Sequence, residues 1–157
     1  MHIYAQNEHL KFKGVPIDGT RNEFVQKMKT AGFTYLGTKD DVAILKGDFA
    51  GVKDCTVGVT TLKGRDLVSR IAVIFPESDT WSTIESCYQD LKVSLAKKYG
   101  EPADSVEAFQ SKYVRDNNDK MYELTMDRCE YWCSFETRNG TIKLSIENDG
   151  IRNGCVM

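Results

Sequence analysis

Histidine is almost missing from this chain: there are two, His2 and His9, and both precede the first structured stretch. That leaves no core histidine for a Cys/His zinc site, for a Cys–His nucleophile pair or for imidazole acid–base work. Charge of one sign is also lacking. Twenty-one basic and 23 acidic residues leave a net charge of −2, and no basic cluster breaks the balance, so no electrostatic footprint for nucleic acid is expected. No apolar run approaches the length a membrane-crossing helix needs. Glycines are present, but Gly47, Gly51 and Gly58 lack the spacing of a dinucleotide or P-loop fingerprint, and no Gly-x-Ser-x-Gly elbow occurs. These gaps remove most of the familiar catalytic classes. No cofactor, no metal ligands and no catalytic residues are assigned.

The five cysteines, Cys55, Cys87, Cys129, Cys133 and Cys155, are odd in number and irregular in spacing, which does not suit a disulfide framework. One bridge fits the count, but a free, buried set agrees better with Cys55 and Cys133 lying in alternating apolar strands. Cys129 and Cys133 are not a redox CxxC pair; on a strand they would sit about 13 Å apart at about 3.3 Å per residue.

The clearest element is a helix in Ser78 to Pro102. Trp81, Ile84, Tyr88, Leu91, Leu95 and Tyr99 recur at three- and four-residue spacing and line one face. Asp79 or Ser82 is expected to cap it, Ser82 with Glu85 as a capping box, and Gly100 and Pro102 end it. About 18 residues give a rod of roughly 27 Å, long enough to cross a sheet. Its aromatics are read as core. An earlier, shorter helix starts at a second capping box, Thr20 with Glu23, presents Phe24, Val25, Met28 and Ala31, and stops at Gly32.

Strands follow each helix. Leu10 to Phe12 is a short extended arm, and Gly14 to Gly19 a turn. Phe33 to Leu36 and Val42 to Leu45 read as strands, and Gly47 and Gly51 are expected to break the segment from Lys46 to Asp54. Cys55 to Leu62 and Leu67 to Phe75 alternate with period two, as a hairpin around Lys63–Asp66. After the long helix, Val106 to Val114 is extended and Asp116 to Asp119 is a polar turn rather than a calcium loop. Lys120 to Arg128 reads equally as short helix or irregular strand. Tyr131 to Thr137 and Thr141 to Glu147 alternate around Asn139-Gly140, the dipeptide of a type I′ hairpin turn. The closing Cys155-Val156-Met157 reads as the start of a strand or a small core plug.

The pattern predicts one α+β domain over 1–157: a strongly twisted antiparallel sheet with two helices on one face. Helix plus three or four strands occurs twice, as pseudo-repeats over about 10–77 and 78–157. That arrangement resembles the beta-lactamase-inhibitor-protein-like architecture. The stretches FKGVPIDGTRNEF, KTAGFTYLG, KGDFAG and LAKKYGEP are also similar to small secreted proteins of Bacteroidetes, a resemblance that covers most of the first half and the long helix. It implies an extracytoplasmic location, in the periplasm or outside the cell, with no catalytic residues to carry over. Ile3-Tyr4-Ala5 before Gln6 has the look of a signal-peptidase site, although MHIYAQN has neither a charged nor an apolar leader region. A cytoplasmic protein with an ordinary N-terminus is the alternative.

Function is sought on the sheet face away from the helices. If Tyr131, Cys133 and Phe135 point inward, Trp132, Ser134 and Glu136 point outward, and Lys143, Arg70, Thr56 and Thr60 join them where the two hairpins share a sheet. A tryptophan among small polar and charged residues has the composition of a recognition surface. The expectation is a non-enzymatic binding module whose partner is another protein or an envelope component. Two alternatives stand beside it: a carboxylate-dependent enzyme acting on a glycan, and a structural part of an envelope complex.

Overall fold

Helix α1, Arg21–Thr30, forms where its cap is built. The Thr20 hydroxyl accepts the Glu23 amide at 3.3 Å, and the Glu23 carboxylate accepts the Thr20 amide at 3.0 Å. Two orphan donors of the first turn are thereby satisfied, and the same bonds hold the Glu23 carboxyl below the usual carboxylate range. Phe24, Val25 and Met28 form its buried side. These coordinates are a computed structural model that describes residues 9–148, 150 and 153–157; the signal-peptidase reading of Ile3 to Gln6 lies outside them.

Helix α2, Trp81–Tyr99, buries Trp81, Ile84, Tyr88 and Leu91, as the stripe requires. Its N-terminus departs from the expected capping box. Thr80 is the N-cap and makes no side-chain cap bond. Ser82 already lies within the first turn, and Glu85 is used elsewhere, accepting the Trp81 indole N–H at 2.9 Å. At the other end Gly100 takes φ 87 and ψ −174, a conformation open essentially only to glycine.

A third helix, α3, Asn117–Thr125, replaces the turn and the ambiguous stretch expected over Asp116 to Arg128. Asp116 is its N-cap and accepts the amides of Asn118 and Asp119 at 3.0 and 2.9 Å. Asp and Asn suit caps and turns for the same reason, a short side chain that bonds nearby backbone, and so the local signal is ambiguous. Leu124 joins the core.

The strands are β1 Lys11–Phe12, β2 Val15–Pro16, β3 Thr34–Lys39, β4 Val42–Phe49, β5 Val52–Thr61, β6 Val68–Ile74, β7 Asp104–Phe109, β8 Cys129–Thr137, β9 Gly140–Asn148 and β10 Asn153–Val156. β1 and β2 pair alone. The other eight form one antiparallel sheet in the order β3-β4-β5-β6-β10-β9-β8-β7. The strands after α1 thus form one meander and those after α2 another, interrupted by α3, and the two join through β6 and β10. The protein is α+β, with its helices packed on the sheet. The closing residues are neither a stray plug nor an edge: β10 is a central strand, and Cys155 is buried in the core.

Register fixes which side chains face the helices. Leu45 pairs with Val57 and Val57 with Val73, while Cys155 pairs with Ile146 and Ile146 with Tyr131; all are buried in one core with the helix stripes. The two turn expectations fare differently. The Lys46 to Asp54 segment is broken, by the turn Ala50-Gly51 between β4 and β5 and by a shift of register between Gly47 and Phe49, although β4 itself runs on through Gly47. Gly47 is needed because the Phe33 ring lies against it, 2.5 Å from where a Cβ would stand. The β8–β9 hairpin forms, but Thr137 pairs with Gly140, so that Arg138-Asn139 is the two-residue loop. Neither loop residue has positive φ, and the turn is not type I′.

Gly47→Ala should therefore lower unfolding stability by about 1–3 kcal/mol, the usual penalty for overpacking. Gly58→Ala meets only a Val42 methyl at 3.3 Å and should cost less. Urea denaturation of the two variants compares them, and equal midpoints would contradict the packing argument.

Candidate functional site

The residues chosen from sequence all lie on strands of the same sheet, and alternation turns them away from the buried set. A row of cross-strand partners runs over that face: Val106, Trp132, Ser145, Val156, Ile74 and Thr56. Apart from the buried Ser145, each of these is half-buried. They form neither a packed core nor a fully solvated surface.

The seven candidates form two groups rather than one. Trp132, Ser134, Glu136 and Lys143 are neighbours on β8 and β9, with Ser134 directly opposite Lys143. The Lys143 ammonium sits 5.9 Å from the Trp132 ring centre, and the indole N–H donates to the Glu130 carboxylate at 3.2 Å. Glu136 accepts the Thr141 hydroxyl at 2.9 Å. Thr56, Thr60 and Arg70 belong to β5 and β6, with Thr60 opposite Arg70. β10 separates the groups, placing β8 roughly 19 Å from β5 at about 4.8 Å per strand. Sequence could not reveal this, since nothing local indicates that the last strand inserts between the two hairpins. Ser145, on the same face by its alternation with Leu144 and Ile146, belongs to the first group: it is 6 % exposed, pairs with Trp132 and donates to the Glu147 carboxylate at 2.6 Å.

Two concavities adjoin these groups. A depression of about 200 Å³ brings Asp54 and Glu77 beside Thr56 and Ile74. A larger cleft of about 450 Å³ opens where β10 ends. Its apolar walls come from Ile71, Ile142, Leu95, Tyr99 and Phe12; its cations are Lys11, Lys13, Arg70, Lys98 and Lys143; among the described residues no aspartate or glutamate lines it. Arg70 and Lys143 are thus brought to a common cleft from opposite groups. Its other residues come from separate segments of the chain, and no single stretch of sequence signals it.

All five cysteines are free thiols. Cys55 and Cys133 are buried, and burial pushes both thiols up. Cys155, also buried, donates to the Ile84 carbonyl at 3.3 Å. Its proximity to Cys87 raises Cys155 and, through a hydrogen bond, lowers Cys87. Cys129 is half-buried like Cys87, but desolvation pushes it up to about 12. Among the described residues no group of three His, Cys, Asp or Glu side chains is placed to hold a metal ion.

No protein family, curated protein or solved structure matches this chain. The physical reading of the site therefore stands by itself.

The thiols give a direct check on the geometry. A thiolate is the reactive form, and Cys87, held below the ordinary value, carries more of it at neutral pH than Cys129. Brief alkylation at pH 7.5 followed by peptide mapping should label Cys87 at least tenfold faster than Cys129. Labelling of the two at equal rates would contradict the arrangement.

Proposed function

We propose that this chain is a non-enzymatic binding module that works outside the cytoplasm and recognises another protein or an envelope component through the helix-free face around Trp132. The observation that carries the reading is the sidedness of the sheet. Its apolar face is consumed by helices, while the other presents a tryptophan flanked by Lys143, Ser134 and Glu136. Tryptophan supplies a large contact area at low entropic cost, and charged neighbours supply orientation, which is the usual make-up of an energetic anchor. Bonding of the indole to Glu130 fixes the ring before any partner arrives, so less ordering is needed on binding.

The extracytoplasmic location rests on the resemblance to small secreted Bacteroidetes proteins. The likeness to the beta-lactamase-inhibitor-protein architecture suggests that the two helix-plus-meander halves are variants of one unit, and carries no claim of inhibition. A glycan-cleaving enzyme finds less support, because the cleft beside Arg70 and Lys143 is lined, among the described residues, by cations and apolar groups rather than by facing carboxylates.

Trp132→Ala should reduce recovery of a crosslinked partner by at least about tenfold, in line with truncation of a hot-spot aromatic. The melting temperature should stay close to wild type, because the ring lies outside the core. Leu36→Ala, an exposed apolar residue on the edge strand β3, should leave recovery unchanged. Equal recovery with wild type and Trp132→Ala would retire the reading.

A further inference from the structure

Cys155 is held where the two meanders join. Its carbonyl accepts the Phe75 amide at 3.1 Å on one side, and Ile146 is its partner on the other, so its backbone is fixed in register. Its side chain faces α2: it is 2 % exposed, and the thiol donates to the Ile84 carbonyl at 3.3 Å. Residues three apart on a helix are neighbours on its surface, with about 5–6 Å between Cβ atoms. Cys87 is therefore the side chain next to that carbonyl, and it packs against the same core. Cα atoms of α2 and β10 come within 8 Å of one another, close to the span of about 4.4–6.8 Å found across a disulfide. The two sulfurs share a hydrogen bond.

The other three thiols are placed differently. Cys55 donates to the Val52 carbonyl at 3.5 Å, and β6 stands between its strand and β10. Cys133 lies on β8 against Tyr88, with β9 between it and β10. Cys129 is opposite Phe109 on the far side of β8. Within the close pair the roles are unequal. Cys87 is half-buried and Cys155 is buried, so a reagent from solvent meets Cys87 first.

We propose that Cys87 and Cys155 are a reversible dithiol–disulfide pair whose oxidant is a low-molecular-weight disulfide, with Cys87 as the attacking thiol and Cys155 as the resolving one. The reaction balances as two exchanges. Cys87 loses its proton and attacks one sulfur of the external disulfide. A mixed disulfide forms, and the expelled thiolate takes up a proton to leave as a thiol. Cys155 then gives up its proton and attacks the Cys87 sulfur, breaking the mixed bond, and the second external thiolate leaves with that proton. The protein loses two electrons and two protons, and one external disulfide becomes two thiols. The hydrogen bond from Cys155 favours the Cys87 thiolate for the first exchange. In the mixed disulfide Cys87 carries no charge, which removes the largest influence opposing ionisation of Cys155. The bond would tie α2 to the strand that joins the two halves of the sheet. It depends on neither Trp132 nor the proposed location.

The probe is glutathione disulfide, mixed with the reduced chain at pH 7.5, quenched in acid and followed by intact mass and non-reducing peptide mapping. Wild type should lose two hydrogens and yield a linked Cys87–Cys155 peptide pair without retained glutathione. Cys155→Ala should keep one glutathione on Cys87, and Cys87→Ser should react at least tenfold more slowly. The wild-type equilibrium tests the pair without any variant. Raising reduced glutathione tenfold at fixed glutathione disulfide should lower the ratio of crosslinked to reduced chain about a hundredfold, because two thiols are released per bond, whereas a mixed disulfide would fall about tenfold. A mixed disulfide that persists on wild-type Cys87, a crosslink from Cys87 to Cys55, a tenfold response or no oxidation of Cys87 would each overturn the pair. Trp132→Ala should oxidise like wild type, so that the two readings fail separately.

Discussion

The structure depends on one constraint: a strand has two faces, and only one of them here is apolar enough to require cover. Leu45, Val57, Val73, Cys155, Ile146 and Tyr131 fall on that face because register places Leu45, Val57 and Val73 opposite one another in one meander and Cys155, Ile146 and Tyr131 in the other, while at the join Val73 faces Met157 and Phe75 faces Cys155. A one-residue slip of any strand would send its apolar set to the other side, which is why such pairing is strongly specified. The helices follow from this. α1 is short and polar on average, and an isolated helix of ten residues is marginal in water. It is held by burying Phe24 and Met28, both at 0 % exposure, against the sheet.

β10 is the second dependency. It is the link through which the β3–β6 meander and the β7–β9 meander become one sheet, and it is only four residues long. The buried Cys155 ties it to α2 through the Ile84 carbonyl, so that the long helix and the central strand stabilise each other.

What sequence made legible was local. The Thr20–Glu23 box, the stripe from Trp81 to Leu91, and the alternation of Cys55–Val59 and Tyr131–Phe135 each lie within a few residues and obey a single periodicity. Where two chemistries share a signal, reading failed: Asp116 caps a helix with the same side-chain bonds that make a polar turn. A glycine such as Gly47 looks like a breaker until the Phe33 ring, fourteen residues away, is seen to need its space. Strand order was beyond reach for a different reason. Nothing near Cys155 indicates that it pairs with Ile146 on one side while its neighbour Val156 reaches Ile74 on the other, yet that insertion divides the candidate residues into two groups.

The account stands on Trp132 lying on the free side of the sheet while Trp81 lies beneath the helices, and the chain has only these two tryptophans. Acrylamide quenching of fluorescence in the single-tryptophan variants Trp81→Phe and Trp132→Phe measures this. The account predicts a distinctly steeper quenching slope when Trp132 remains than when Trp81 remains, because Trp81 is 1 % exposed. Equal slopes, or protection of Trp132 in the isolated chain, would contradict it.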